Sequence, residues 1–350
     1  MSRGTLRAVD FFCSGGGMTS GLIRAGIDVI AGIDNDASCK ETYEKNNKGS
    51  KFILADMFEL EEEWLESEIQ ISKNDDNMIF IGCSPCQFWS VIQTDKTKSA
   101  ESKNLLAEFQ RFVEYFQPGY VLVENVPGIL RRKEESGLQQ FIDSLGKQDY
   151  VIHYEIVNMA EYGVPQSRKR FSLVATRVLD KVPLPEKEES VKTVRETIGA
   201  FSKIDAGTKD DTGFAHSVAG LGERNLKRLQ KTSHDGGSWL DWRDDPELKR
   251  EKYKGSEFKD NYGRMWWDKP APTITTKFFS VSNGRFAHPE QNRAISIREG
   301  ARLQTFHDEY EFYCTSIAGA AKLIGNAVPP LFAEKLGRAI MREKAIGLKA

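Results

Sequence analysis

No stretch of about 18 consecutive apolar residues occurs in the 350-residue chain, so the sequence offers no membrane-spanning helix. Charge of one sign is not in excess either. The 49 Lys and Arg against 51 Asp and Glu leave a net of −2, which argues against coating nucleic acid by bulk electrostatics but leaves a local basic cleft open. Histidine and cysteine are scarce, at 5 each. The cysteines are Cys13, Cys39, Cys83, Cys86 and Cys314, and only Cys83 and Cys86 lie close together. A structural zinc site needs four ligands, and without a second Cys-x-x-Cys no metal is expected. The odd cysteine count, and a start (MSRGTLRAVDFF) without an apolar signal core, predict reduced thiols in a cytoplasm. No internal repeat is visible. What is present is bulk: 39% hydrophobic residues, with 20 Phe, 10 Tyr and 6 Trp. That is enough for a real core, excludes a disordered chain, and fits roughly two domains.

Residues 5–180 alternate short apolar runs with amphipathic stretches. Leu6-Arg7-Ala8-Val9-Asp10-Phe11-Phe12 reads as a strand ending at a glycine loop, and 19–25 as a short helix. Val29-Ile30-Ala31-Gly32-Ile33 is a second strand, followed by a helical stretch over 37–46. Further strands are expected at 78–82 and 120–123, with a helix over 105–116 between them. Near-continuously apolar strands separated by helices predict a parallel sheet covered on both faces. After Arg177 the texture changes. Residues 180–260 are polar and Gly-rich, carry His234-Asp235-Gly236-Gly237-Ser238 and a charged stretch at 244–254, and read as a smaller, loop-rich module inserted in the α/β framework. A regular helix returns over 330–345, with Leu331, Phe332, Leu336 and Ile340 near helical spacing.

Chemistry gathers at the predicted strand ends. Phe11-Phe12-Cys13-Ser14-Gly15-Gly16-Gly17-Met18 follows the first strand and opens a helix. Glycines there let a backbone approach a ligand, and this edge of a parallel sheet is where nucleotide-like cofactors bind. The spacing is neither the dinucleotide pattern nor a P-loop. Asp34, ending the second strand, stands where a carboxylate can hold ribose hydroxyls, so a cofactor site is favoured over a bare turn. Cys83-Ser84-Pro85-Cys86-Gln87 follows the strand at 78–82. Cys86 reads as a covalent catalyst, as half of a thioredoxin-like redox pair with Cys83, or as a small buried hydrophobe. The redox reading is weakened by the late position of the pair. Glu124, after the strand at 120–123, is either functional or a helix N-terminal partner. In Gln166-Ser167-Arg168-Lys169-Arg170, extended geometry predicts Arg168 and Arg170 on one face, suited to phosphate or base-edge contact.

Taken in order, these segments resemble the cytosine-5 DNA methyltransferases. Asp10 to Gly17 is similar to the family's S-adenosylmethionine loop, Pro85-Cys86-Gln87 to its catalytic Pro-Cys motif, and Glu124-Asn125-Val126 to its Glu-Asn-Val motif. Gln166 to Arg170 resembles its Gln-x-Arg-x-Arg motif. Arg298-Glu299-Gly300-Ala301-Arg302-Leu303-Gln304 and Gly325-Asn326-Ala327-Val328-Pro329-Pro330 resemble its last two motifs. Ser14 departs from the pattern, standing where the family usually has glycine.

The resemblance implies an α/β fold, the S-adenosylmethionine-dependent methyltransferase Rossmann-like mixed sheet, with a smaller, loop-rich target-recognition domain. Residues 1–180 plus 320–350 would form the catalytic, cofactor-binding domain, 181–305 the target-recognition domain and 306–319 a hinge. It implies transfer of a methyl group to carbon 5 of a flipped-out cytosine through a covalent Cys86 adduct. Glu124 would neutralise charge at ring nitrogen 3, while Arg168 and Arg170 would orient the ring oxygen and flanking backbone. For the cofactor, Phe12 would stack on adenine, Asp34 hold the ribose and Asp56 meet the adenine amino group. Ser14, Gly15, Gly16, Gly17, Asn35, Met57, Pro85 and Asn326 would complete that site, with no metal. The polar stretch from Trp89 to Lys103 would close over DNA. Arg224, Lys227, Arg228, Lys231, Lys249, Arg250, Lys252 and Lys254 are candidates for phosphate contacts. The implied partners are double-stranded DNA and a cognate restriction endonuclease, for a cytoplasmic monomer working at the bacterial nucleoid. The alternatives are an RNA-directed member of the family, whose Cys-Phe-Thr signature is absent here, and a Cys-x-x-Cys redox protein.

Overall fold

The computed structural model describes residues 4–84, 104–249 and 259–347. Pro85, Cys86, the stretch to Lys103, and Arg250, Lys252 and Lys254 therefore lie outside the described residues. The chain divides into two units. The first comprises Met1–Tyr162, Lys169–Lys187 and Pro330–Ala350; the second comprises Gly163–Arg168 and Glu188–Pro329.

In the first unit strands and helices largely alternate, and the strands expected at 29–33, 78–82 and 120–123 and the helix expected at 105–116 are among them. They are β1 (Arg7–Phe11), α1 (Gly17–Arg24), β2 (Asp28–Asp34), α2 (Lys40–Asn46), β3 (Lys51–Leu54), α3 (Glu62–Glu68), β4 (Met78–Gly82), α4 (Leu105–Phe116), β5 (Tyr120–Asn125), α5 (Gly128–Arg131), α6 (Leu138–Lys147) and β6 (Val151–Asn158). A two-residue strand, β7 (Gln166–Ser167), belongs to the second unit and precedes β8 (Lys169–Thr176) in the first. The seven-stranded sheet runs β3-β2-β1-β4-β5-β8-β6. Pairing is parallel from β3 through β5.

The last two neighbours depart from the parallel sheet read from the apolar runs and match the mixed sheet that the resemblance implies, because β8 runs antiparallel to both β5 and β6. Continuous apolar character reports that a strand is covered on both faces, and β4 and β5 are buried at every residue. It carries no information about direction. Phe11 packs against Phe80, Phe109 and Phe112 with ring centroids 5.1–5.3 Å apart, so β1, β4 and α4 share one aromatic core. On the other face the last helix of the chain, Pro330–Gly347, lies against α1. Gly21 makes that approach possible, since a Cβ there would sit 2.2 Å from the Pro330 carbonyl oxygen.

The second unit holds short helices, α7 (Val194–Ile198), α8 (Glu223–Lys231), α9 (Ile297–Leu303) and α10 (Ile317–Asn326). The chain then re-enters the first unit through α11 (Pro330–Gly347). Among the described residues the second unit has one further strand, β9 (Ala271–Pro272), which pairs in parallel with β7. Apolar clusters form around Ile274, Phe278, Phe306 and Tyr310, and around Leu229, Trp242 and Tyr262. Much of the remaining order comes from fully buried arginines. Arg264 donates to the carbonyls of Leu229, Thr232, His288 and Gln291, and Arg298 to those of Phe214, His307 and Tyr310. Arg293 makes a two-pronged contact with Glu299 at 2.7 and 2.8 Å. Burial alone would raise the Glu299 carboxyl, but Arg293, with His288 and the Ser296 N–H, holds the group below the usual carboxylate range. Among the described residues no helix is long and apolar enough to cross a membrane.

Candidate active site

The glycine loop leaves β1 through residues with positive φ: Phe12 at 64°, Ser14 at 48° and Gly16 at 84°. Ser14 thus occupies a left-handed position, which explains why glycine suits it and costs serine about 1 kcal/mol. Asp34, at the carboxyl end of β2, braces the loop. Its Oδ2 accepts the Ser14 N–H and its Oδ1 the Asp36 N–H, both at 2.9 Å. Gly16 opens α1 with no side-chain cap. Gly15, Gly16 and Gly17 are buried, and Phe12 and Ser14 half-buried.

Beneath the loop lies a chain of hydrogen bonds that the sequence reading missed. The Thr19 hydroxyl donates to Asp10 at 2.7 Å and lies 3.1 Å from the Tyr43 hydroxyl, which lies 2.7 Å from that of Ser50. Burial pushes the Asp10 carboxyl up to about 7. The same burial, together with Asp10 and Asp34, pushes the Cys13 thiol well above its ordinary value, so Cys13 is no nucleophile.

At the end of β3 the backbone N–H of Ala55 reaches the Asp34 carbonyl at 3.1 Å. Asp56 is exposed and its Oδ1 accepts the Phe58 N–H at 3.0 Å. Met57 is buried in the core, whereas Asn35 is exposed beyond β2. Ser84 follows β4 and is buried, and the Asn125 amide donates to its carbonyl at 3.3 Å and its hydroxyl at 3.2 Å. Glu124, last but one in β5, is also buried and meets the Arg170 Nε at 3.2 Å. The first unit therefore brings together the glycine loop, Asp34, Asp56, Ser84, Glu124 and Arg170 at one edge of the sheet, at or just beyond the carboxyl ends of β1 to β5.

Arg168 is placed differently, and the expected pairing with Arg170 on one face fails. Alternation is broken because the Arg168 N–H turns back onto the Gln166 carbonyl at 3.0 Å, ending β7 before β8 begins. Inside the second unit the Arg168 guanidinium is buried and donates to the carbonyls of Ile274 and Ala327 at 3.1 Å and of Gly325 at 3.4 Å. Gln166 joins the same cluster. Its amide donates to Gln304 Oε1 at 2.7 Å, its own oxygen accepts the Ile274 N–H at 2.8 Å, and Gln304 donates to the Ile324 carbonyl at 2.6 Å. These residues fix the turn that carries exposed Asn326. Arg228, read as a phosphate contact, is also turned inward, onto Leu248, Asn225 and Tyr262.

The family model for C-5 cytosine-specific DNA methylases matches residues 6–342. The chain belongs to this family. The methylase is 38% identical over 342 residues to the type II methylase M.HgiDII of Herpetosiphon aurantiacus, covering 95% of this chain and 94% of that one. It is 28% identical to the type II methyltransferase M1.HphI of Haemophilus parahaemolyticus, covering 97% and 87%. In fold it is similar to a prophage-encoded Escherichia coli protein, with a TM-score of 0.75, 21% identity, and 97% and 100% of the two chains covered. Within the methylase, the Gln166-Ser167-Arg168-Lys169-Arg170 segment thus does two jobs. Arg170 faces the acid at the end of β5, and Arg168 ties down backbone of the second unit. No cluster of three or more metal-ligating side chains occurs among the described residues.

Proposed function

We propose that this methylase modifies carbon 5 of a cytosine extruded from duplex DNA, using S-adenosylmethionine as methyl donor and Cys86 as transient nucleophile. The observation that carries this reading is the meeting of Asn125 with Ser84. It holds the residue two before Cys86 at the end of β5, one position from Glu124 and its partner Arg170.

The residues present fit the donor. Asp34, held at the carboxyl end of β2 by the Ser14 and Asp36 N–H groups, presents a carboxylate of the kind that accepts from ribose hydroxyls. The exposed Asp56 carboxylate suits an amino group, the half-buried Phe12 ring an apolar base, and the uncapped first turn of α1 a carboxylate. When bound, the donor supplies an electrophilic methyl group next to the target base.

The chain's own groups do the rest. The Cys86 thiolate forms a bond to ring carbon 6, which breaks the aromaticity and makes carbon 5 nucleophilic. Glu124 shares its proton with ring nitrogen 3 and neutralises the charge that builds there. Arg170, 3.2 Å from Glu124, orients that carboxyl and offers donors to the ring oxygen. Carbon 5 accepts the methyl group, a base removes its proton, and the pair of electrons released expels Cys86 as thiolate. Extrusion of the base costs a few kcal/mol of stacking and pairing.

Recognition of the DNA sequence is assigned to the second unit. Among the positions named for phosphate contact, Lys227, Lys231, Arg224 and Lys249 are exposed there, with Lys227 also paired to Glu223. The type II relatives point to a companion restriction endonuclease.

Duplex DNA carrying 5-fluorocytosine at the target provides the test, because fluorine cannot leave as a proton does. A cofactor-dependent adduct on Cys86, lost in Cys86→Ser and retained in Cys83→Ser, is expected. Absence of any adduct on DNA that the protein methylates would reject the mechanism. Equal loss of activity in both variants would return the redox reading. Bisulfite sequencing of plasmid from expressing cells identifies the site.

A further inference from the structure

Arg111 lies midway along α4, 54 positions from Met57 in sequence, and its guanidinium is engaged on every side. One terminal nitrogen, Nη2, donates to the carbonyls of Met57 and Leu60, each at 2.6 Å. The other, Nη1, meets Glu62 at the start of α3 at 2.7 Å, and Nε meets Glu108 on α4 at 2.7 Å. The group also stacks over the Phe112 ring at 4.4 Å. Only 30% of the side chain is exposed.

The two carbonyls bracket the loop between β3 and α3. Within that loop Asp56 is the pivot: its carbonyl accepts the N–H groups of Glu59 and Leu60 at 3.1 and 3.0 Å, and its Oδ1 that of Phe58. Met57 and Leu60 themselves bury their side chains in the core. The loop is thus nailed at both ends by one planar cation whose charge is held by two carboxylates. A guanidinium can do this because its donors leave in fixed directions, whereas one ammonium cannot serve two carboxylates and two carbonyls at once.

We infer that Arg111 is a positioning residue for recognition of the cofactor's adenine, fixing the Asp56–Leu60 loop so that the Asp56 carboxylate stands where the adenine amino group arrives. The inference rests on the reading of Asp56 given under the proposed function. A positioning role has a signature that a general structural role lacks. Loss of Arg111 must erode discrimination at the purine amino group more than it erodes overall binding.

The experiment is calorimetric titration of the full-length protein with S-adenosylhomocysteine and with its 6-oxo analogue, in which the amino group is replaced. The wild type should prefer the amino form by about tenfold to a hundredfold, the worth of one hydrogen bond to a charged acceptor. Asp56→Ala should abolish the preference. Arg111→Ala should cut it to about threefold or less, and Arg111→Lys should fall between. If Arg111→Ala does not fold, Arg111→Lys and Arg111→Gln are read instead, with thermal melts establishing the folded fraction. A wild-type preference lost in Asp56→Ala but kept in every Arg111 variant overturns this inference alone. No preference in the wild type, or one that survives Asp56→Ala, overturns the reading of Asp56 and this inference with it.

Discussion

Backbone carbonyls find their donors differently in the two units. In the first, strand ladders supply them, and side chains are left to fill an aromatic and aliphatic core around Phe11, Phe80 and Phe109. In the second, where each strand among the described residues is two residues long, arginine side chains reach in and take the place of a ladder. Arg264, fully buried, serves four carbonyls and has no carboxylate within ion-pair distance among the described residues. Burial lowers its ordinary value to about 10, so it stays charged at neutral pH. The lesson concerns variability. A ladder constrains whole strands, while an arginine pins chosen carbonyls and leaves the intervening loops free to differ in sequence. That suits the target-recognition role proposed for the second unit.

Three substitutions bear on this comparison. The largest effect is expected from Arg264→Met, which strips donors from four carbonyls at once. Leaving buried acceptors unsatisfied should cost about 3–5 kcal/mol, read as a shift of the denaturation midpoint. A loss under about 1 kcal/mol would mean that the second unit is held by its apolar clusters instead. The next pair exploits two arginines on opposite sides of the boundary in sequence. Arg168→Ala should lower the melting temperature, at a cost of about 2–3 kcal/mol, because the carbonyls of Ile274, Gly325 and Ala327 lose their donors. Arg170→Ala should leave the melt nearly unchanged and reduce kcat about a hundredfold, as expected for a donor acting at a site of developing charge. Interchanged phenotypes would dissolve the distinction drawn between them.

The last prediction is a pH slope in the first unit. Asp10 has a folded-state carboxyl near 7 against an ordinary value of 3.8. The folded protein therefore binds the proton more tightly. The stabilisation is complete below about pH 4 and disappears as pH rises through 7. Asp10→Asn, which cannot ionise, should flatten the decline in melting temperature between pH 5 and pH 8. An unaltered slope would place the titration elsewhere.

Much of the first unit was legible because its strands are buried on both faces and its helices carry apolar stripes. Helix α4, expected over 105–116, spans those residues in the structure. The carboxylates at the ends of β2 and β5, Asp34 and Glu124, could be placed because a strand end at a sheet edge is a local property, whereas Asp56 comes from the family resemblance alone. What escaped depends on chain geometry that no periodicity encodes. The direction of β8 leaves no trace in its sequence, where Phe171, Leu173, Val174 and Ala175 report only burial. The tight three-residue turn of Arg168 onto Gln166 spoils an alternation that holds only in unbroken extended chain. Thr19, Tyr43 and Arg111 reach partners on other elements, and the buried arginines of the second unit look like surface charge until their acceptors are known. Sequence reading took Arg228 for a phosphate contact for that reason.

The carboxylate of Asp34 is engaged by two amides of its own chain. Much of the ordering entropy of the loop is thereby settled at folding and not at the encounter with a ligand. Tightening of the glycine loop on arrival should accordingly be slight, and affinity differences among relatives should reside in the dissociation step more than in the rate of capture.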